Sequence, residues 1–198
     1  LLRRIPHTAA RDHAAVGRFV RQQFSPIGAI VNPRCAQTIE GLAGLKAALE
    51  GSQLLVATAE SCTGGQLAAL FASDVELGPC LERGYIVYSL DAKCDMLGVE
   101  RVDAERNDGV NPEVARAMAD SAFEQGRADV AVSVTGFCGP PQHGEEVGLV
   151  YIATVSRLGL QVEEHHLGDM GREEVLASCV DAAVVMLTDA ILKLRQSG

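Results

Sequence analysis

Apolar positions recur along this chain with two periods. One places them three and four residues apart and marks helices; the other is the short continuous or alternating run of a strand. Val16, Phe19, Val20 and Phe24 share one face of a predicted helix over His7–Phe24, with Arg11, Asp12 and Arg18 elsewhere. Ser25-Pro26-Ile27-Gly28 and Asn32-Pro33-Arg34 break the pattern, so residues 1–40 read as a helical arm. The periodic core begins near Gln37. Ile39, Leu42, Leu45 and Leu49 predict a helix that stops at Gly51. Gln53–Thr58 reads as a short buried strand, Ala59–Gly65 as a polar loop and Gln66–Ser73 as a helix. Gly84–Tyr88 is a second strand. Ser89 caps a helix to Leu97, with Gly98 at its end. Asn111-Pro112-Glu113 combines a cap, a proline at the first helical position and an acid near the positive pole, and opens a helix to about Gln125. Asp129–Thr135 is a Val-rich strand. Val147–Val155 and Leu160–Leu167 predict a hairpin turning near Arg157-Leu158-Gly159. Arg172–Arg195 closes the chain as a helix. Strands alternating with helices imply a layered α/β fold, and the hairpin makes its sheet mixed.

Composition narrows the function. The 198 residues suffice for one sizeable core; 47% are hydrophobic and 22% charged. There is no Trp, aromatics make up 4%, and the net charge is -9, so no nucleic-acid partner is expected. A small anion needs only local donors and stays within reach. Six cysteines (35, 62, 80, 94, 138 and 179) form no C-x-x-C pair and no Cys/His zinc spacing; they read as reduced thiols of a cytoplasmic protein, with no metal or cofactor expected. No apolar run is read as reaching membrane-spanning length, and Leu1–Pro6 lacks the apolar stretch of a signal peptide, so no membrane partner is expected.

Four segments can carry chemistry. Thr58-Ala59-Glu60-Ser61-Cys62-Thr63-Gly64-Gly65 joins a strand to a helix start, where N–H groups point outward and glycines admit a ligand close to the backbone. This suits a nucleophile beside an oxyanion hole or a phosphate cradle; ordinary capping is the alternative. Next, Tyr88 ends a strand and Lys93 sits near the start of the following helix. A desolvated Lys93 with a lowered pKa can serve a serine as base, whereas a solvated Lys93 does nothing. Ser89, four residues before Lys93, is a rival serine but reads better as the cap. The Gly/Pro loop Gly136–Glu146, after Thr135, is either a binding loop or a surface turn. Finally, Arg172 opens the last helix after Gly168-Asp169-Met170-Gly171, either holding a phosphate or solvated. His165 and His166 are adjacent on a strand, point to opposite faces and read as structural, as do His7 and His13.

Taken together these motifs resemble a known family. Thr58–Gly65 is similar to the signature of the competence/damage-inducible CinA C-terminal domain. Tyr88-Ser89 with Ala92-Lys93, Gly109-Val110 with Glu113-Val114-Ala115 and Met118-Ala119, and Thr135-Gly136 with Gly139-Pro140 and Val147-Gly148 follow its later motifs in order; Gly168-Asp169 and Arg172 resemble its Gly-Asp-Arg turn. Within these, Leu90-Asp91 replaces a usual Asn-Glu, and Met170-Gly171 lengthen the turn before Arg172. The resemblance spans residues 41–198. It implies a three-layer α/β/α fold with a mixed, mostly parallel sheet. It implies hydrolysis of the carboxamide of nicotinamide mononucleotide, a step of pyridine nucleotide salvage, in a homo-oligomer, with dimer the expected state. By position it makes Ser61 the nucleophile, Lys93 the base and Tyr88 a supporting donor, and lines the substrate site with Glu60, Thr63, Gly64, Gly65, Thr135, Gly136, Gly139 and Arg172. Two other classes remain: a nucleotide-binding regulatory module without turnover, and a structural partner domain that assembles through its N-terminal helix.

Overall fold

Val56–Glu60 (β1) is buried at all five positions, as a strand flanked on both sides and covered on both faces must be. The computed structural model describes residues 36–141 and 144–197, with side chains from residue 41 onward; the predicted helix over His7–Phe24 lies outside them. Two parallel neighbours flank β1: Leu81–Ile86 (β2) and Val130–Gly136 (β3). Leu149–Ser156 (β4) runs antiparallel to β3, and Gly159–His166 (β5) folds back on β4, giving the order β2-β1-β3-β4-β5. The sheet is therefore mixed. Four strands point the same way and β4 alone opposes them, but the ladders divide evenly, because one reversed strand inside the sheet makes two antiparallel pairings.

Helices cover both faces, giving three layers. On one face the valines Val56, Val130, Val132 and Val134 pack with Leu45 and Leu49 of Ala36–Leu49 (α1), Leu67 and Phe71 of Gln66–Ser73 (α2), and Val175, Ala183, Leu187 and Ile191 of Arg172–Gln196 (α6). On the other face the strands present Ala57, Ala59, Ala131 and Ala153, and these small residues meet Leu97 of Leu90–Leu97 (α3), Ala104 of Arg101–Glu105 (α4), and Val114, Met118 and Ala122 of Pro112–Glu124 (α5). Burying one such Val or Leu contributes about 1.5–3 kcal/mol.

The caps follow local chemistry. Ser89 Oγ accepts from the Ala92 N–H at 3.1 Å, so this serine is committed to capping α3 and is not the partner of Lys93. Asn111 Oδ1 accepts from the Val114 N–H at 2.9 Å at the start of α5, and its amide donates to the carbonyls of Asp103 and Arg106. Three boundaries differ from the sequence reading. β1 begins at Val56 rather than Gln53, β2 runs over Leu81–Ile86 and stops before Tyr88, and the five-residue α4 was not foreseen. One composition reading is also corrected. The 25-residue α6 is long and apolar enough to cross a membrane, by length and composition. Its apolar stripe from Val175 to Leu194 is buried in the core.

Candidate functional site

The C-terminal ends of β1, β2 and β3 lie side by side, because these three strands are parallel and adjacent. The chain leaves β1 for β2 on one side and returns to β3 on the other. Such a switch point opens a crevice beyond the strand ends, where α/β sheets bind ligands. The first three candidate segments follow these three strands. A separate cavity of about 170 Å³, lined by Ser156, Leu158, Gln161 and Lys193, lies at the opposite end of the sheet by the β4–β5 turn and gathers no comparable chemistry.

Ser61 directly follows β1, pinned by its N–H to the Val134 carbonyl of β3 at 3.0 Å. It is 7% exposed, and its hydroxyl has no hydrogen-bond partner among the described residues. The turn behind it needs left-handed backbone at Gly64 (φ 58°) and Gly65 (φ 97°), and a Cβ on Gly65 would strike Ile86. The Gly64 N–H closes this turn onto the Ser61 carbonyl at 3.1 Å. The N–H groups of Cys62 and Thr63 have no acceptor among the described residues. They are donors left open for an oxyanion.

Glu60 and Thr63, expected to line the substrate site, are buried and held beneath the Ser61 turn. The buried Glu60 carboxylate reaches under the turn and accepts from the N–H groups of Gly65 at 3.0 Å, Leu67 at 3.0 Å and Ala68 at 2.8 Å. It also accepts from the hydroxyls of Thr63 at 2.8 Å and Thr58 at 3.2 Å. A carboxylate at the positive pole of α2 satisfies donors that a helix start leaves open, and it fixes the Ser61 turn from below. Both residues are positioning residues. Thr135 is a third: it is fully buried, and its hydroxyl donates to the Gly109 carbonyl at 2.7 Å. Gly136 is required by packing, since a Cβ would meet Val150 and the Leu149 carbonyl.

Lys93 projects from α3 into the interior and is 2% exposed. Its amine makes no ion pair or hydrogen bond among the described residues. Desolvation pushes its pKa below the ordinary 10.5, against the pull of Cys62, Cys94 and Asp108. Gly109 lies against its stem; a Cβ there would come within 3.3 Å of Lys93 Cε. Lys93 and the Thr135–Gly109 contact thus share one corner of the molecule, and Cys62 acts on the Lys93 charge from the Ser61 loop. No hydrogen bond joins Ser61 to Lys93.

Arg172 joins two of the other segments. Its guanidinium donates to the Gly139 carbonyl at 2.6 Å and to the Tyr88 hydroxyl at 3.3 Å. The two residues inserted before it, Met170 and Gly171, therefore leave it beside both loops. Tyr88 is 60% exposed and Arg172 is also exposed, so their free edges face solvent. Gly139 takes φ 72° and precedes a cis proline, Pro140. The structure thus puts Arg172 in direct contact with Tyr88 and Gly139, with Ser61 just past β1 and Lys93 in the helix that follows β2.

Comparison with known proteins bears on the family and the fold. Residues 40–191 match the family model for the CinA C-terminal domain. The chain is 34% identical to the protein YdeJ of Escherichia coli K12, over 78% of this chain and 91% of that protein. It is 38% identical to the nicotinamide-nucleotide amidohydrolase PncC of the same organism, over 57% of this chain and 69% of PncC. Other relatives are longer: it spans 35% of a putative competence-damage inducible protein of Acetivibrio thermocellus, at 33% identity over 73% of this chain. Among solved structures, the competence/damage inducible protein CihA of Agrobacterium tumefaciens superposes with a TM-score of 0.73 at 35% identity, covering 79% of this chain and 96% of that one.

Proposed function

Because the chain belongs to the CinA C-terminal domain family, we propose that it hydrolyses the carboxamide of nicotinamide mononucleotide to nicotinate mononucleotide and ammonia. The observation that carries this reading is the desolvated Lys93 at the strand-end corner that also holds the Ser61 turn, with Arg172 held at its rim by Gly139 and Tyr88. The name of PncC supports the same chemistry.

In this reading neutral Lys93 takes the Ser61 hydroxyl proton as Oγ attacks the carboxamide carbon. The Cys62 and Thr63 N–H groups receive the developing oxyanion. Collapse breaks the C–N bond, and Lys93 returns its proton to the departing ammonia. A pyridine-3-carbonyl ester on Ser61, with its ribosyl phosphate still attached, is then cleaved by water. Arg172 presents its solvent-facing edge to the phosphate, and Tyr88 steadies the guanidinium. The missing Ser61–Lys93 hydrogen bond closes when substrate fills the site, since catalytic contacts are commonly long in the free enzyme.

That same missing contact favours a second reading, a nucleotide-binding module without turnover. The two separate on ammonia release: purified protein given nicotinamide mononucleotide forms ammonia and nicotinate mononucleotide in equal amounts if it is the hydrolase. Saturable binding of the mononucleotide with no ammonia formed identifies the module.

A further inference from the structure

The fold assembles a cluster that no local spacing announced. Cys62 follows β1, Cys138 follows β3, and Cys179 lies two turns into α6, yet their three sulfurs all fall within 4.8 Å of one another. Cys138 and Cys179 are 3.9 Å apart, Sγ to Sγ. All three are buried, at 8%, 3% and 0% exposure, within one apolar core cluster. Among the described residues no further His, Cys, Asp or Glu completes the group.

The spacing discriminates between uses of three thiols. Sulfurs bound to one ion at about 2.3 Å stand about 4.0 Å apart in a planar trigonal complex and about 3.8 Å apart on a tetrahedron. The measured edge of 3.9 Å falls between these two values, and the other two edges are no longer than 4.8 Å. A disulfide needs the sulfurs at about 2.05 Å, strands the third thiol, and consumes an oxidant. Zinc asks for a fourth ligand that the cluster does not offer, whereas an all-sulfur, three-ligand set suits the softest first-row cation. Cations stand near to offset the anionic complex: the Arg172 charge acts on Cys138, and Lys93 interacts with Cys62.

We propose that Cys62, Cys138 and Cys179 form a three-sulfur binding site for a soft monovalent cation of the copper(I) class. Each ligating thiol releases its proton to solvent as its S–Cu bond forms, and no electrons are transferred. The site stands on the sulfur geometry, and its test reads metal uptake rather than turnover.

The test is an anaerobic titration of the reduced full chain with copper(I) supplied on a chromophoric copper(I) chelator. The protein is expected to withdraw one equivalent, with a thiolate-to-copper charge-transfer band and a sulfur-only first shell of three by X-ray absorption. The triple variant Cys35→Ser, Cys80→Ser, Cys94→Ser keeps the site. Cys138→Ser and Cys179→Ser each lose it, with folding checked by circular dichroism. Failure of the folded wild-type chain to withdraw copper(I) overturns the proposal whatever the variants do. So does binding that survives in both Cys138→Ser and Cys179→Ser, or preferential uptake of zinc into a four-coordinate shell.

Discussion

Glu60→Gln separates a positioning carboxylate from a substrate-binding one. One oxygen of Glu60 accepts from Thr63, Gly65 and Leu67, and the other from Ala68 and Thr58. Glutamine keeps the volume but has only one acceptor oxygen. Turned to keep the three-bond side, its NH₂ group faces the Ala68 N–H, donor against donor. Thr58 can rotate its hydroxyl to accept; the Ala68 amide cannot. The variant therefore loses one charge-assisted bond, at about 1.5–3 kcal/mol, and weakens three others by removing their charge. The expected destabilisation is about 2–4 kcal/mol. At about 2–4 °C per kcal/mol for a chain of this size, melting falls by roughly 4–16 °C. Glu60→Ala, which strands all three amides and both hydroxyls, should cost more. Thermal unfolding followed by circular dichroism, with turnover measured well below the transition, reads both effects. A Glu60→Gln protein with unchanged melting and only a raised KM would refute the positioning role and return Glu60 to the substrate site.

Further outcomes follow from the same geometry. If Lys93 is the base, kcat/KM rises with pH along an acid limb whose inflection lies below 10.5, and activity is lost as pH falls through the lowered folded pKa. The unfolded chain keeps this proton to higher pH than the folded one, so Lys93 also makes stability rise between its folded pKa and 10.5. Lys93→Met should remove that rise and melt higher than wild type near neutral pH; a lower melting temperature would show that the amine has a stabilising partner. Arg172→Ala should cost about 1.5–3 kcal/mol in the specificity constant for the mononucleotide, roughly ten- to hundredfold, and barely change turnover of the nucleoside. Equal losses on both substrates would take Arg172 off the phosphate. Gly65→Ala, with a positive φ and Ile86 in the way, should destabilise by more than about 1 kcal/mol, and near-normal melting would show that the turn is pliable.

What the sequence disclosed was the part governed by neighbours along the chain. Asn111-Pro112-Glu113 marks its helix because cap, proline and acid act within one turn. The hairpin appears as two strand-like runs with a short break, and β3 as a Val-rich run. Arg101–Glu105 was missed because five residues are too few to show a period. The contacts of Glu60 were not legible because its main acceptor bonds go to residues five to eight further on, and only the strand-to-helix turn brings them within reach. An acid just ahead of a helix start was the available signal. The three buried thiols lie in three different segments, and Cys138 and Cys179 are 41 residues apart; no spacing rule joins them. Lys93 could be named as a candidate, but its desolvation depends on α3 packing against the sheet and on Gly109 lying against its stem.

Attack of Ser61 on the carboxamide is the step on which the proposed hydrolysis rests. Its sharpest test is ammonia release from nicotinamide mononucleotide by Ser61→Ala beside wild type, with equal melting curves establishing that both are folded. Removing one hydroxyl from the loop leaves the Glu60 contacts intact, so the fold should hold, while turnover should fall by on the order of a thousandfold or more. A folded Ser61→Ala protein that releases ammonia at near the wild-type rate would contradict the account.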